Sequence, residues 1–133
     1  MFGIKQAIIV ALGGALGSVA RYKLGGFVLH HTQASSFPFS TFCVNLAGCF
    51  AIGVLAALVE HHDLFSSEGR LFLFTGLLGG FTTFSAFGYE TAFLLRRGMA
   101  GVSLAYVMLS VACGVAGVLL GSKAIDLLWP PRH

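Results

Sequence analysis

The stretch Thr75-Gly76-Leu77-Leu78-Gly79-Gly80-Phe81-Thr82-Thr83-Phe84-Ser85-Ala86-Phe87 decides how this chain folds. It lies within an apolar run over residues 71–95, long enough to cross a bilayer, for which about 20 apolar residues suffice. The middle of that run is nonetheless poor helix material. Glycine in a helix interior costs about 1 kcal/mol against alanine, and β-branched threonines add to this. The spacing predicts a helix that breaks near residues 79–83, at the midplane of the membrane. A break frees backbone N–H and C=O groups where no water can take them. Such backbone persists only when buried in protein or lining a polar cavity. Half-helix ends and freed carbonyls are one way to hold ions at that depth. A glycine-softened helix that packs closely and holds no ion is the alternative.

Working outward, three more segments have the length and polarity of membrane spans. The first covers about residues 4–29 and carries Arg21 and Lys23. The second covers about 39–59, entered at Pro38 and ended at Glu60. The fourth covers about 99–120, followed by Lys123 and Asp126 and then by Trp129-Pro130-Pro131, an interfacial anchor and a stop. Arg96-Arg97-Gly98 makes a short turn after the third span, and polar connections over 30–37 and 61–70 join the others. The fold class is therefore all-α and membrane-embedded, four transmembrane helices in one domain over residues 1–133, the third broken at the midplane. Gly13 and Gly17 in the first span, and Gly117 and Gly121 in the fourth, form GxxxG pairs that let helix backbones approach.

Composition excludes the other classes. Hydrophobic residues make up 56% of the chain and charged residues 10%, where a soluble domain averages about a quarter charged. A net charge of +3 is too weak for a nucleic-acid partner. Cys43, Cys49 and Cys113 sit in apolar runs, an odd set that reads as small hydrophobes rather than a disulfide framework. Lys5, the apolar residues 7–16 and Ser18-Val19-Ala20 imitate a secretory signal. The rest of the chain is equally apolar, so cleavage there yields no soluble product, and the segment reads as the first span.

The basic residues balance. With four spans, Lys5, Arg70, Lys123 and Arg132 fall on one side of the membrane and Arg21, Lys23, Arg96 and Arg97 on the other. Orientation follows an excess of Lys and Arg on the cytoplasmic side. A tie predicts insertion in both orientations and assembly as an antiparallel pair. A residue such as Arg21 held inside the bilayer would instead hide a real bias.

Polar residues at membrane depth are the candidate site. Asn45 in the second span needs partners, either an interhelical hydrogen bond or a group in a pore to which it donates. Ser40 and Thr41 make the entry of that span polar. Tyr106 and Ser110 lie four apart and share a helix face, with Ser103 beside them. Glu90 is an intramembrane acid, costly and a functional candidate for that reason, and Arg21 is similar unless it snorkels to the surface.

These residues together resemble a known family, the small fluoride channels called Fluc or CrcB-type proteins. Gly13-Gly14-Ala15-Leu16-Gly17 with Arg21-Tyr22 is similar to the first-helix pattern. Pro38, Thr41 and Val44-Asn45-Leu46-Ala47-Gly48 resemble the second, and residues 79–87 the third, the most specific motif. The resemblance implies an antiparallel homodimer with two pores in a bacterial inner membrane. It implies pore-lining roles for Phe84 and Phe87, with Asn45 beside them. Tyr106 and Ser110 match a polar track, to which Thr41, Thr83 and Ser85 add hydroxyls, and Arg21 and Glu90 are candidates for a vestibule. Gly79 and Thr82 match positions whose backbone carbonyls hold a central sodium ion, structural and not transported. Gly114 stands where a further polar track residue is expected, and Ala86 where Thr or Ser is common.

Physical chemistry agrees with that implication. Stripping an ion of water in a low dielectric costs on the order of tens of kcal/mol. A pore must replace the water without a fixed charge that traps the ion. Phenyl edges carry the positive part of the ring quadrupole, and amide or hydroxyl protons donate. Simple core packing is the other reading of Phe84 and Phe87, since the chain has 13 Phe. Two rivals share the hydrophobicity. A small dual-topology multidrug or cation exporter requires an acid in the first span, which has none. A non-transporting membrane assembly protein leaves the clustered break and Asn45 unexplained. No enzyme is indicated: His30-His31 and His61-His62 are adjacent loop pairs without metal-site spacing, and no nucleotide-binding motif occurs.

Overall fold

The computed structural model describes residues 3–130. Pro131 and Arg132, read above as part of the stop and of the charge balance, lie outside the described residues. Among the described residues, four helices are long and apolar enough to cross a membrane: α1 (Ile4–Thr32), α2 (Phe39–His62), α3 (Ser67–Arg96) and α4 (Ala100–Leu128). No strand occurs among the described residues.

Each helix runs past the end expected from sequence. The largest difference is in α4, which stays helical through Lys123 and Asp126 to Leu128. Charges do not break a helix, and these last turns have partners on α2. His61 Nδ1 lies 2.7 Å from Asp126 Oδ1, and the His62 ring stacks on Trp129 with centroids 4.1 Å apart. At the same end Lys5 pairs with Glu68, and Arg70 with Asp63. The start of α1, the end of α2, the start of α3 and the end of α4 are thus gathered there. The turn after α3 closes as predicted from Gly98, which takes φ 72°. The N–H of Met99 reaches back to the Leu94 carbonyl at 2.9 Å, a left-handed glycine cap.

The third span is the irregular one. Its upstream half begins with one turn, Ser67–Arg70, capped by the Ser66 hydroxyl. It continues as a π-helix over Leu71–Leu78 and returns to α geometry over Gly79–Phe81. Thr82 and Thr83 are extended, with φ/ψ of −84°/158° and −148°/116°. A new helix then runs over Phe84–Arg96, with the Thr83 hydroxyl accepting the Ala86 N–H at its start. The break therefore falls at the threonines, the downstream edge of the predicted window, while Gly79 and Gly80 remain helical.

Those glycines serve close approach instead. A Cβ on Gly17 would run into the Leu77 carbonyl, and one on Gly80 into the Gly14 carbonyl. The upstream half of α3 therefore lies backbone to backbone on α1. A Cβ on Gly121 would likewise meet the Phe50 carbonyl, which joins α4 to α2. The two glycine pairs seen in the sequence mark these two seams.

Candidate functional site

The extended pair Thr82-Thr83 leaves backbone groups without helical partners, and Asn45 takes two of them. Its Nδ2 donates to the Thr83 carbonyl at 3.0 Å, and the Thr83 N–H donates to its Oδ1 at 2.8 Å. One amide thus pairs with both backbone groups of Thr83, as a neighbouring strand would. Of the two readings of Asn45, the geometry has the interhelical one. The N–H groups of Thr83 and Ala86 are both directed at side chains. The carbonyls four residues before them, on Gly79 and Thr82, are released from the helical ladder as a result.

A second polar cluster lies on the same side of the break. Glu90 accepts two hydrogen bonds of 2.7 Å, from the Thr41 hydroxyl at one oxygen and from the Tyr106 phenol at the other. Tyr106 is wholly buried. These two donors offset the cost of a carboxyl group at membrane depth. Ser103, also buried, donates to the Thr91 carbonyl at 3.1 Å and fixes α4 against the downstream half of α3.

Aromatic rings connect break and cluster. Phe84 and Phe87 have centroids 5.6 Å apart, and Phe87 and Tyr106 5.1 Å. Phe37, just before α2, meets Tyr106 edge-on at 5.3 Å. A cavity of about 420 Å³ opens beside the break, lined among others by Asn45, Cys49, Thr83, Phe84, Phe87 and Ser110. Among the described residues, no charged side chain lines it. The Ser110 hydroxyl is buried there without a hydrogen-bond partner among the described residues. A smaller cavity of about 270 Å³ has Arg21, Ser40 and Thr41 in its wall, and Thr83 lines both cavities. Phe84 is 84% exposed on the single chain.

The model of the family described as CrcB-like protein, Camphor Resistance (CrcB), matches residues 8–122. The chain belongs to the CrcB family. A relative from Methylobacillus flagellatus, named fluoride-specific ion channel FluC, is 48% identical over 122 residues, covering 92% of this chain and 95% of its own. A protein of the same name from Rhizobium johnstonii is 48% identical over 123 residues, 92% of this chain and 98% of its own. One from Thermus thermophilus is 46% identical over 121 residues, 91% and 94% respectively.

In this CrcB-family chain the predicted residues separate into groups. Asn45, Thr83, Phe84, Phe87 and Ser110 meet at one cavity, with Gly79 and Thr82 in its wall. Thr41, Tyr106 and Glu90 form the hydrogen-bonded cluster instead. The structure does not bring Ser85 to the cavity wall: it is exposed, its hydroxyl 3.3 Å from that of Thr83. On the helix that starts at Phe84, Phe84 and Phe87 are three apart and share the cavity face, while Ser85 lies about 100° round from Phe84. Arg21 lies in the smaller cavity, half-buried and without an ion pair among the described residues. Sequence reasoning missed the shared hold on Glu90, because Thr41 and Tyr106 stand 49 and 16 positions from it. It also missed Cys49, read as filler, which lines the cavity.

Proposed function

We propose that the chain is a fluoride-selective channel, multi-pass in a bacterial cell membrane, through which cytoplasmic fluoride leaves passively and the cell gains fluoride resistance. One observation carries this reading. Beside a broken span, Phe84, Phe87 and Ser110 line a single cavity in whose wall, among the described residues, no charged side chain stands. The names of the relatives support fluoride as the ion.

The lining suits a small, strongly hydrated anion. Phe84 and Phe87 offer ring edges with partial positive charge, many weak contacts in place of one trap. Ser110 has a hydroxyl proton to give. The Thr83 hydroxyl accepts from Ala86 and shares a hydrogen bond with the Ser85 hydroxyl, a pair that keeps one proton to give. Thr41 and Tyr106 donate to Glu90, so an arriving fluoride competes with that carboxylate for them. The negative-inside potential drives the anion outward by about 2.3 kcal/mol per 100 mV.

The working unit is an antiparallel homodimer. The large exposed ring of Phe84 and the balanced basic residues support a second copy of opposite orientation. The Gly79 and Thr82 carbonyls fit a sodium ion between the copies. They are hard oxygen donors freed from the ladder, and Gly79 is exposed on the single chain. Bound there, sodium supplies fixed positive charge and ties the two broken helices together. It is structural and not carried.

The test is purified protein in liposomes with ion electrodes. Fast, electrogenic fluoride efflux with almost no chloride efflux is expected. Chloride efflux equal to fluoride efflux, or no efflux of either, overturns the reading. C-terminal reporters are expected to give signals from both sides of the membrane, and a signal from one side alone removes the antiparallel pair.

A further inference from the structure

The corner that opens α2 reaches three other helices. The Ser40 hydroxyl donates to the Gly25 carbonyl on α1 at 2.9 Å. Thr41, next to it, donates to Glu90 on α3. Phe37, just before the helix, meets Tyr106 of α4 edge-on, with centroids 5.3 Å apart and ring planes at 81°. The backbone of Phe37 is pinned on both sides. Its N–H donates to the Ser35 hydroxyl at 3.1 Å. Its carbonyl accepts the Phe39 N–H at 2.8 Å across Pro38, which takes φ/ψ of −76°/66°. That is an inverse γ-turn, and the proline ring already sets its φ. The Phe37 ring also lies against those of Phe39 and Phe42, with centroids at 4.7 and 5.5 Å.

The ring that Phe37 meets on α4 carries chemistry. Tyr106 is wholly buried, and its phenol donates to Glu90 at 2.7 Å. The aim of that bond is set by the side-chain torsions of Tyr106, and a hydrogen bond weakens steeply as its angle closes. Two rings hold those torsions, Phe87 on α3 and Phe37 at the entry of α2. Phe87 lines the cavity at the break, whereas Phe37 is outside its wall.

We propose that Phe37 is a positioning residue of this channel, its ring keeping the Tyr106 phenol aimed at Glu90, where an arriving fluoride takes over the hydrogen bond. The inference rests on the fluoride-channel reading and deepens it. A donor already held in place loses little freedom when the ion takes it over. An edge-on ring contact adds to what burial alone supplies, and an aliphatic side chain lacks it. Phe37 and Thr41 stand four residues apart. One short segment therefore delivers both donors of Glu90, Thr41 with its own hydroxyl and Phe37 through Tyr106.

The experiment uses full-length protein in liposomes, with fluoride efflux read by electrode and folding read by size exclusion. Phe37→Ala removes the ring, and Phe37→Leu fills much of its space without one. Both are expected to slow efflux about five-fold, the rate equivalent of one aromatic contact. Phe37→Tyr keeps a ring and is expected to keep the parent rate. Tyr106→Phe is expected to slow efflux as well. Adding Phe37→Ala to it is expected to cost nothing more, because no phenol is left to aim. A residue that merely fills space would slow both backgrounds equally, and that result overturns the proposal. So does a parent rate in Phe37→Leu or in Tyr106→Phe, or a Phe37→Tyr protein as slow as Phe37→Ala. Failure of both Phe37→Ala and Phe37→Leu to give monodisperse protein makes Phe37 a folding residue and overturns it too. An unsubstituted protein that passes no fluoride overturns the channel reading itself, which separates the two failures.

Discussion

The two halves of α3 are built on different principles. The upstream half meets α1 through glycine on both sides, Gly13, Gly17, Gly76 and Gly80, with no side chain between the backbones. Apart from the Ser18 hydroxyl near the Gly80 carbonyl and the Lys5–Glu68 pair at the outer end, its contacts are dispersion and shape. The downstream half meets α4 and α2 through named polar bonds, Ser103 to Thr91, Tyr106 to Glu90 and Thr41 to Glu90, and through the tilted ring contact of Phe87 with Tyr106. Lipid tails are as apolar as leucine, so helices in a membrane associate by close packing or by hydrogen bonds. This span uses one on each side of its break. The first fixes where the backbone ends. The second holds chemically useful groups at the place where it resumes. Asn45 clamps the join.

If that division holds, damage to the upstream seam is the most severe. Gly17→Val puts a branched side chain into the Leu77 carbonyl, and overpacking of this kind costs about 1–3 kcal/mol or more. Loss of monodisperse protein on size exclusion is expected. A normal elution profile breaks the contrast between the halves. Next comes the clamp. Asn45→Leu strips two backbone groups of their partners, each about 1–3 kcal/mol when buried and unsatisfied. Fluoride efflux is expected to vanish, with faster amide exchange at Thr83. Unchanged protection of Thr83 would show the break standing without the amide.

The downstream half should yield function before it yields the fold. Phe84→Ile and Phe87→Ile are expected to slow fluoride efflux greatly while the size-exclusion profile stays that of the parent. Unchanged efflux in both removes the rings from the mechanism. Tyr106→Phe deletes one hydrogen bond to Glu90 and leaves the ring contacts with Phe87 and Phe37. It is expected to lower thermal stability by about 1 kcal/mol, a small shift in melting temperature. The smallest effect belongs to the polar end of the bundle. His61 and Asp126 are partly exposed, with side chains at 30% and 39%, and His61→Ala is expected to change stability by about 0–1 kcal/mol. A larger loss would mean that the last turns of α4 depend on this contact more than on packing.

Much of this was legible in the chain. Runs of apolar residues near the length of a bilayer name four spans, because only a helix satisfies its own backbone in lipid. The crowding of Gly79, Gly80, Thr82 and Thr83 names the faulty span. Helix ends were not legible. Lys123 and Asp126 look like a boundary in sequence, yet the helix continues because α2 supplies partners beside them. The site was legible as a list of residues but not as pairings. Nothing in residue order says that Tyr106 and Thr41 share one carboxylate, or that Ser85 falls outside the cavity while Cys49 falls within it.

By itself the sequence determined the solvent, the number of crossings and the span that cannot stay whole, since each follows from local hydropathy and local helix cost. Tertiary structure alone decided that the threonines part while the glycines stay wound. It also decided which polar groups are spent on one another and which are left open to an ion. Those outcomes turn on ångström distances between helices far apart in the chain, where a missing Cβ or one amide selects the partner.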